Sequence, residues 1–403
     1  MKILVVTQYF WPENFRINDL CVELKKRGHE ITVLTGIPNY PEGTIDQNYL
    51  KKPNKFQNYS GVQIIRVPLI PRGKKKLTLI FNYLSFMFTC STIGLAKVWK
   101  YEYDLVFICQ LSPATVAIPG LIISRLKRIP SVMWILDLWP DSLNAIGLIN
   151  NNRILNFLQS VMNFVYRKCD VLLVQSRSFK IKIDEQIKCK IKVKYIPTWA
   201  EDNFSRENTI INNKKGNADF CVLFAGNIGK AQDVYCIINA ANELKEYPGI
   251  KFKIIGDGRE AEGVRKAIDQ LGLEKKVEMM GRHPLEDMPA LFRRADAMLL
   301  TLQAKEIFSM TIPGKLQSYM ASGKPIIGAI NGEARRVIEE SNSGFCVPAE
   351  DYVAFADRIL QMSMLSKEEL DELGANGRRF YEEEFSREKI LDKFESSLLG
   401  VIS

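Results

Sequence analysis

FCVLFAGNIGKAQD, residues 220–233, is the stretch on which the fold turns. Phe220–Ala225 is an apolar run of strand length, and Gly226, Asn227 and Gly229 end it just before a segment of helical period. IIGDGRE (residues 254–260) repeats the strand–glycine–helix arrangement with Gly256, Asp257 and Gly258. Further runs at Lys251–Ile255, Lys276–Met280, Ala297–Thr301, Pro325–Gly328 and Gly344–Val347 alternate with helical segments. Such alternation predicts an α/β domain whose parallel sheet is covered on both faces.

The same rhythm runs through the first half. Strands are expected at Lys2–Thr7, Glu30–Thr35, Gly61–Val67, Asp104–Cys109, Ser131–Leu136, Asp170–Val174 and Lys192–Ile196. A helix over Glu13–Arg27 repeats Ile17, Leu20, Cys21 and Leu24 at helical spacing, and Gly28 stops it. The polar, Asn-rich stretch at 201–219 reads as an interdomain linker. The expected organisation is therefore two doubly wound domains, 1–197 and 198–385, with helices at about 386–403 packing back on the first. The carboxyl-end loops of two such sheets, facing a central cleft, are where ligands are expected.

The 403 residues are 46% hydrophobic and 25% charged, which excludes disordered, collagen-like and disulfide-scaffold classes. The eight cysteines are scattered and form no C-x-x-C pair, as expected of reduced core thiols. With His29 and His283 alone, a multi-histidine metal site is excluded. The N-terminal apolar run is too short for a signal peptide, so a cytoplasmic protein is expected.

The net charge of +9 conceals an asymmetry. Residues 1–200 hold 28 Lys+Arg against 13 Asp+Glu, whereas the remainder holds 27 against 33. Residues 51–100 carry ten basic side chains and no acidic one. This pattern fits either an anionic surface as partner or a solubilising excess of charge. Within it, residues 77–96 are uncharged and follow Arg72, Lys74, Lys75 and Lys76. Length permits a membrane span, but one crossing would split the first sheet. Thr78, Asn82, Ser85, Thr89 and Thr92 draw a polar stripe opposite Leu79, Ile80, Phe81, Tyr83, Phe86, Met87 and Phe88. A helix lying in the headgroup region is predicted, with Arg72, Lys74–Lys76, Phe81, Phe86 and Phe88 as bilayer contacts. A buried crossover helix is the alternative.

In TIPGKLQSYMASGKPII (residues 311–327), Pro313 is placed at the first helical position, followed by Gly314 and Lys315. Amides, helix dipole and a cation together suit a diphosphate. WILDLWPDS (residues 134–142) sets Asp137 and Asp141 at a strand's carboxyl end. Asp137 is a candidate for positioning a substrate hydroxyl, or else a structural acid capping the turn. No D-x-D occurs, so cations and dipoles would have to neutralise a diphosphate.

In order and spacing, MKILVVTQYFWPE, LKKRGHEITVLTG, PNYPEG, WILDLWPDS, LFAGNIGKAQ, IIGDGRE, GRHPLEDMPALFRRAD and PGKLQSYMASGKPII resemble the family-4 glycosyltransferases of the GT-B fold over essentially the whole chain. The nearest resemblance is to bacterial O-antigen and capsule enzymes transferring N-acetyl-L-fucosamine. The resemblance implies a UDP-sugar donor on the second domain, an undecaprenyl-diphosphate-linked acceptor on the first, no metal or other cofactor, and retention at the anomeric carbon. It further implies a peripheral location on the inner face of the bacterial plasma membrane, and no nucleic-acid partner.

Carried over by position, Lys230 resembles a diphosphate-binding lysine, with Gly226 and Asn227 in the same loop. Arg282 resembles a residue facing the base, Gly314 and Lys315 a phosphate-facing helix start, and Glu333 an acid near the donor sugar. The sequence departs from the family's E-x7-E at Met310 and Ser318, leaving Ser318 a hydroxyl for the ribose. Phe15–Arg16 replaces a Gly-Gly pair, which makes Arg16 a candidate phosphate contact. Asn227 stands where an arginine is common, and the first-domain histidine of some members is missing. Competing expectations are an epimerase or phosphorylase on the same fold, and a non-enzymatic basic protein binding membrane or nucleic acid. The first leaves Lys74–Lys76 unexplained, and the second leaves the loops of the acidic half without a purpose.

Overall fold

The computed structural model describes residues 1–403 except 74, 146, 189–190, 202–203, 205–218 and 403. The chain divides into two units, Met1–Ile196 with Leu391–Ser403, and Pro197–Ile390.

Unit 1 contains β1 (Lys2–Val6), β2 (Glu30–Gly36), β3 (Asn58–Tyr59), β4 (Val62–Val67), β5 (Leu105–Gln110), β6 (Ser131–Ile135), β7 (Val171–Val174) and β8 (Lys192–Tyr195). They form one sheet in the order β3-β4-β2-β1-β5-β6-β7-β8. Every pair is parallel except β3–β4. The added strand β3 has two residues and joins β4 through Ser60 and Gly61, both at positive φ. A pair that short carries no readable alternation. The central strands β5, β6 and β7 are buried throughout, which accounts for their unbroken apolar sequence.

The first helix runs from Arg16 to Lys26, beginning later than expected, and buries Ile17, Leu20, Cys21 and Leu24. Glu13 lies outside it because its carboxylate is committed elsewhere, accepting the backbone N–H groups of Phe10, Asn39 and Tyr40. The last helix, Arg387–Ile402, returns to unit 1. Phe394 packs edge-on against Trp134 at 4.8 Å, and Arg27 reaches Asp392 and Glu395.

Unit 2 contains β9 (Phe220–Ala225), β10 (Ile250–Ile255), β11 (Val277–Gly281), β12 (Ala297–Thr301), β13 (Ile326–Ala329) and β14 (Gly344–Val347). Their order is β11-β10-β9-β12-β13-β14, all parallel. Most of the expected 201–219 linker lies outside the described residues. Phe204, within it, stacks on Phe292 at 5.0 Å as part of unit 2. Seven cysteines are free, six of them buried, and Cys189 lies outside the described residues.

In each unit the strand order reverses beside one strand, β1 in unit 1 and β9 in unit 2. The crevice beyond the carboxyl end of such a strand is where doubly wound sheets bind ligands.

Candidate active site

In unit 2 the loop after β9 is built on glycines. Gly226 adopts φ +147° and donates its N–H to Ile255 O at 2.9 Å. Ile228 N–H reaches Asp257 O at 2.9 Å, and Gly256 N–H reaches Gly281 O at 2.8 Å. A Cβ on Gly256 would run into the Gly226 carbonyl, and one on Gly258 into that of Ile228. Three carboxyl-end loops therefore close on one another only without side chains at these positions. They bring Gly226, Asn227, Lys230 and Arg282 to one edge of the sheet. Asn227, Lys230 and Arg282 are exposed there.

Gly314–Ala321 is a helix that begins one residue later than expected, with Pro313 as its N-cap at φ −70° and ψ 135°. Residues four apart share a helix face, and here Lys315 and Tyr319 both turn to β9. The Tyr319 hydroxyl donates to Ala225 O at 3.1 Å and accepts from Ala225 N–H at 2.9 Å. One turn earlier, the Lys315 ammonium lies 3.9 Å from the centroid of the Phe224 ring, beside Gly226. Its Nζ is buried and has no hydrogen-bond partner among the described residues. Burial pushes the Lys315 pKa down to about 7. An unpartnered buried amine at the edge of a glycine loop is equipped to receive an anion. Phe224 was not a candidate in the sequence, although the apolar run before Gly226 contains it.

Ser318 donates its hydroxyl to Glu201 at 3.1 Å, so a carboxylate from the segment after Pro197 stands beside the position where the helix lacks one. Glu333 is buried in the first turn of the helix Gly332–Glu340 and bonded by Arg336 at 2.8 Å. Gly332 packs against the Ser309 backbone at positive φ. Among the described residues no group of three or more His, Cys, Asp or Glu is placed to hold a metal ion.

In unit 1, Arg16 opens the first helix. Burial raises the Asp137 pKa, while Ser142, Ser112, the Leu138 N–H and Trp139 favour its ionised form. Asp141 is paired with Lys182 at 3.0 Å, a structural engagement that the sequence did not reveal.

The helix Lys76–Thr89 carries its polarity inward. Asn82 is fully buried, donating to Ile70 O at 2.6 Å and accepting from Gln8 at 2.7 Å. Thr89 donates to Pro68 O, and Ser85 accepts the Ile70 N–H. The solvent side is instead apolar, with Leu77 68%, Phe81 55% and Phe88 67% exposed. From Lys76 to Val98 the chain is long and apolar enough to cross a membrane, by length and composition only.

One expected bilayer contact is corrected. Phe86 is fully buried, because it falls on the inward side one turn from Asn82 and Tyr83. Arg72 is half-buried, its guanidinium 5.1 Å from the centroid of the Tyr40 ring. Lys75 and Lys76 are exposed, and Lys74 lies outside the described residues.

Residues 205–380 match the family model described as glycosyl transferases group 1. The chain is 25% identical to the putative colanic acid biosynthesis glycosyl transferase WcaI of Escherichia coli K12, over 99% of this chain and all of that one. It is 25% identical to the N-acetyl-alpha-D-glucosaminyl L-malate synthase of Bacillus anthracis over 61% of this chain and 63% of the other. Among solved structures, Anabaena Alr3699/HepE in complex with UDP and glucose superposes with a TM-score of 0.69 at 17% identity, covering 99% of this chain and all of that one. At that identity the likeness shows the fold alone, two Rossmann-like domains of the GT-B type.

Proposed function

We propose that this chain, a glycosyltransferase with the GT-B fold, moves N-acetyl-L-fucosamine from its UDP-activated form to an undecaprenyl-diphosphate-linked sugar during assembly of an O-antigen or capsule repeat unit. The observation that carries the donor half is the buried, unpartnered Lys315 ammonium beside Gly226. Solved structures of the same fold hold UDP and UDP-glucose, which supports a nucleotide-sugar donor.

In this reading the donor diphosphate lies against the Gly226 loop, with Lys315 beneath it and Lys230 at its rim. Arg282 faces the base, Ser318 with Glu201 takes the ribose, and Glu333 lies near the sugar. As the glycosidic bond breaks, negative charge grows on the leaving oxygen, and a fixed cation there stabilises the transition state more than the bound donor. Transfer proceeds with retention and without a divalent ion or other cofactor. Asp137 orients the acceptor in unit 1. The apolar face of the helix Lys76–Thr89, with Lys75 and Lys76 at its start, seats the protein on the inner face of the plasma membrane.

Calorimetric titration with UDP, ADP and GDP in the presence of EDTA tests the donor half. UDP should bind at least tenfold more tightly than the other two. Equal binding of all three, or none without Mg2+, contradicts it.

A further inference from the structure

Beyond the donor site, unit 1 holds a second cation placed as a ligand-binding group is placed. Arg72 ends the loop leading from β4 to the helix Lys76–Thr89. Its backbone N–H donates to Asn39 Oδ1 at 3.0 Å, which fixes the loop. Its guanidinium lies against the Tyr40 ring, with the Tyr9 hydroxyl nearby. Tyr9 is buried, stacks on Phe15 at 5.3 Å and touches Tyr40 at 5.5 Å. Tyr9 follows β1, at the reversal of strand order where doubly wound sheets bind ligands.

A second arginine of this unit shows what a structural guanidinium looks like. Arg66 is buried, donates to the carbonyls of Gly36, Phe56 and Trp11, and has Glu13 nearby. Its donors are consumed by the fold. Among the described residues no carboxylate pairs with Arg72. The Tyr40 ring face orients it but leaves its charge uncompensated. A planar fork of N–H donors held in this way matches the oxygens of a phosphate or diphosphate. The helix that begins four residues later turns Phe81 and Phe88 outward. A phosphate ester at Arg72 would therefore be well placed for its lipid chain to leave along an apolar helix face.

We infer that Arg72, held against the Tyr40 ring, binds the phosphate or diphosphate that joins the acceptor to its lipid. This rests on the lipid-linked acceptor proposed above, but it can be tested without transfer. With UDP saturating so that the donor site is filled, farnesyl diphosphate and farnesol are titrated into the wild type, Arg72→Gln and Arg72→Lys. The wild type should bind farnesyl diphosphate and not farnesol. Arg72→Gln should weaken that binding at least tenfold, and Arg72→Lys, which keeps the charge, should weaken it less. Both variants should keep wild-type UDP affinity, which also reports folding of unit 2, and a wild-type melting profile reports folding of unit 1. Both should float with anionic vesicles as the wild type does, which separates the acceptor's own phosphate from bulk lipid headgroups. Unchanged farnesyl diphosphate binding in folded Arg72→Gln, equal binding of farnesol, or loss of flotation matching the loss of binding would overturn the inference. Failure of transfer in a protein that still binds the diphosphate through Arg72 would count against the proposed reaction and leave this site standing.

Discussion

The ammonium of Lys315 sits 3.9 Å from the centre of the Phe224 ring, one helical turn from the Tyr319 hydroxyl that clamps the end of β9. The clamp fixes the helix, the ring provides a weak cationic seat, and Gly226 leaves space for the lysine tip. A buried cation without a counterion is a cost to the folded state, offset when an anion binds.

Replacing that lysine should therefore separate stability from activity. Lys315→Met should leave the melting temperature unchanged or raise it, and should lower kcat/KM by roughly 10²-fold or more, the scale of losing a charge-stabilising donor. Lys230→Ala, at an exposed loop position, should lower kcat/KM in the same direction with stability within about 0.5 kcal/mol of wild type. Steady-state kinetics with thermal melts check both.

Proton linkage supplies a second test. The Lys315 pKa is about 7 in the folded protein against an ordinary 10.5. Between those values the unfolded chain binds more protons, so this group's contribution is fully present above 10.5 and is lost as pH falls through 7. Anion binding favours the protonated amine, so UDP binding at pH 8 should take up a proton in the wild type and less in Lys315→Met. Titration in buffers of different ionisation enthalpy measures this.

The glycine packing makes a structural prediction. Gly256→Ala places a methyl group into the Gly226 carbonyl at a backbone angle of φ +137°. It should destabilise unit 2 by at least about 2 kcal/mol and weaken UDP binding, as denaturant unfolding and calorimetry would record. Gly249→Ala, outside the donor site and where a Cβ meets nothing within 4 Å, is the matched control and should do neither.

For the membrane face, Phe81→Ser with Phe88→Ser should release the protein from anionic vesicles without loss of stability, since both rings are exposed. Replacing Lys74, Lys75 and Lys76 by Glu should do the same, at on the order of 1 kcal/mol per charge near such a surface. Phe86→Ala should instead destabilise unit 1 by about 3–5 kcal/mol, because that ring is wholly buried. Flotation and chemical unfolding distinguish the outcomes.

The strand pattern was legible because buried parallel strands require unbroken apolar runs, and all six strands of unit 2 begin or end within a residue or two of those runs. Lys315 was legible for a related reason, since a lysine at a helix start after Pro313–Gly314 has no role in a plain turn. What local pattern could not reveal were partners distant in sequence. Asp141 meets Lys182, Ser318 meets Glu201, and Arg72 meets Tyr40. The stripe over 78–92 showed helical periodicity but not which side faced the protein. Asn82 decides that, and its partners Gln8 and Ile70 lie on other loops.

The most direct test of the account is transfer itself. Purified protein with anionic vesicles and a synthetic N-acetylglucosaminyl-diphosphate-undecaprenol is supplied in EDTA with a panel of UDP-sugars, and the lipid product is weighed by mass spectrometry. The account predicts a single added N-acetyl-6-deoxyhexosamine from UDP-N-acetyl-L-fucosamine, at a rate reduced roughly 10²-fold in Lys315→Met. No mass increase with any UDP-sugar, or equal transfer by the Lys315 variant, would contradict it.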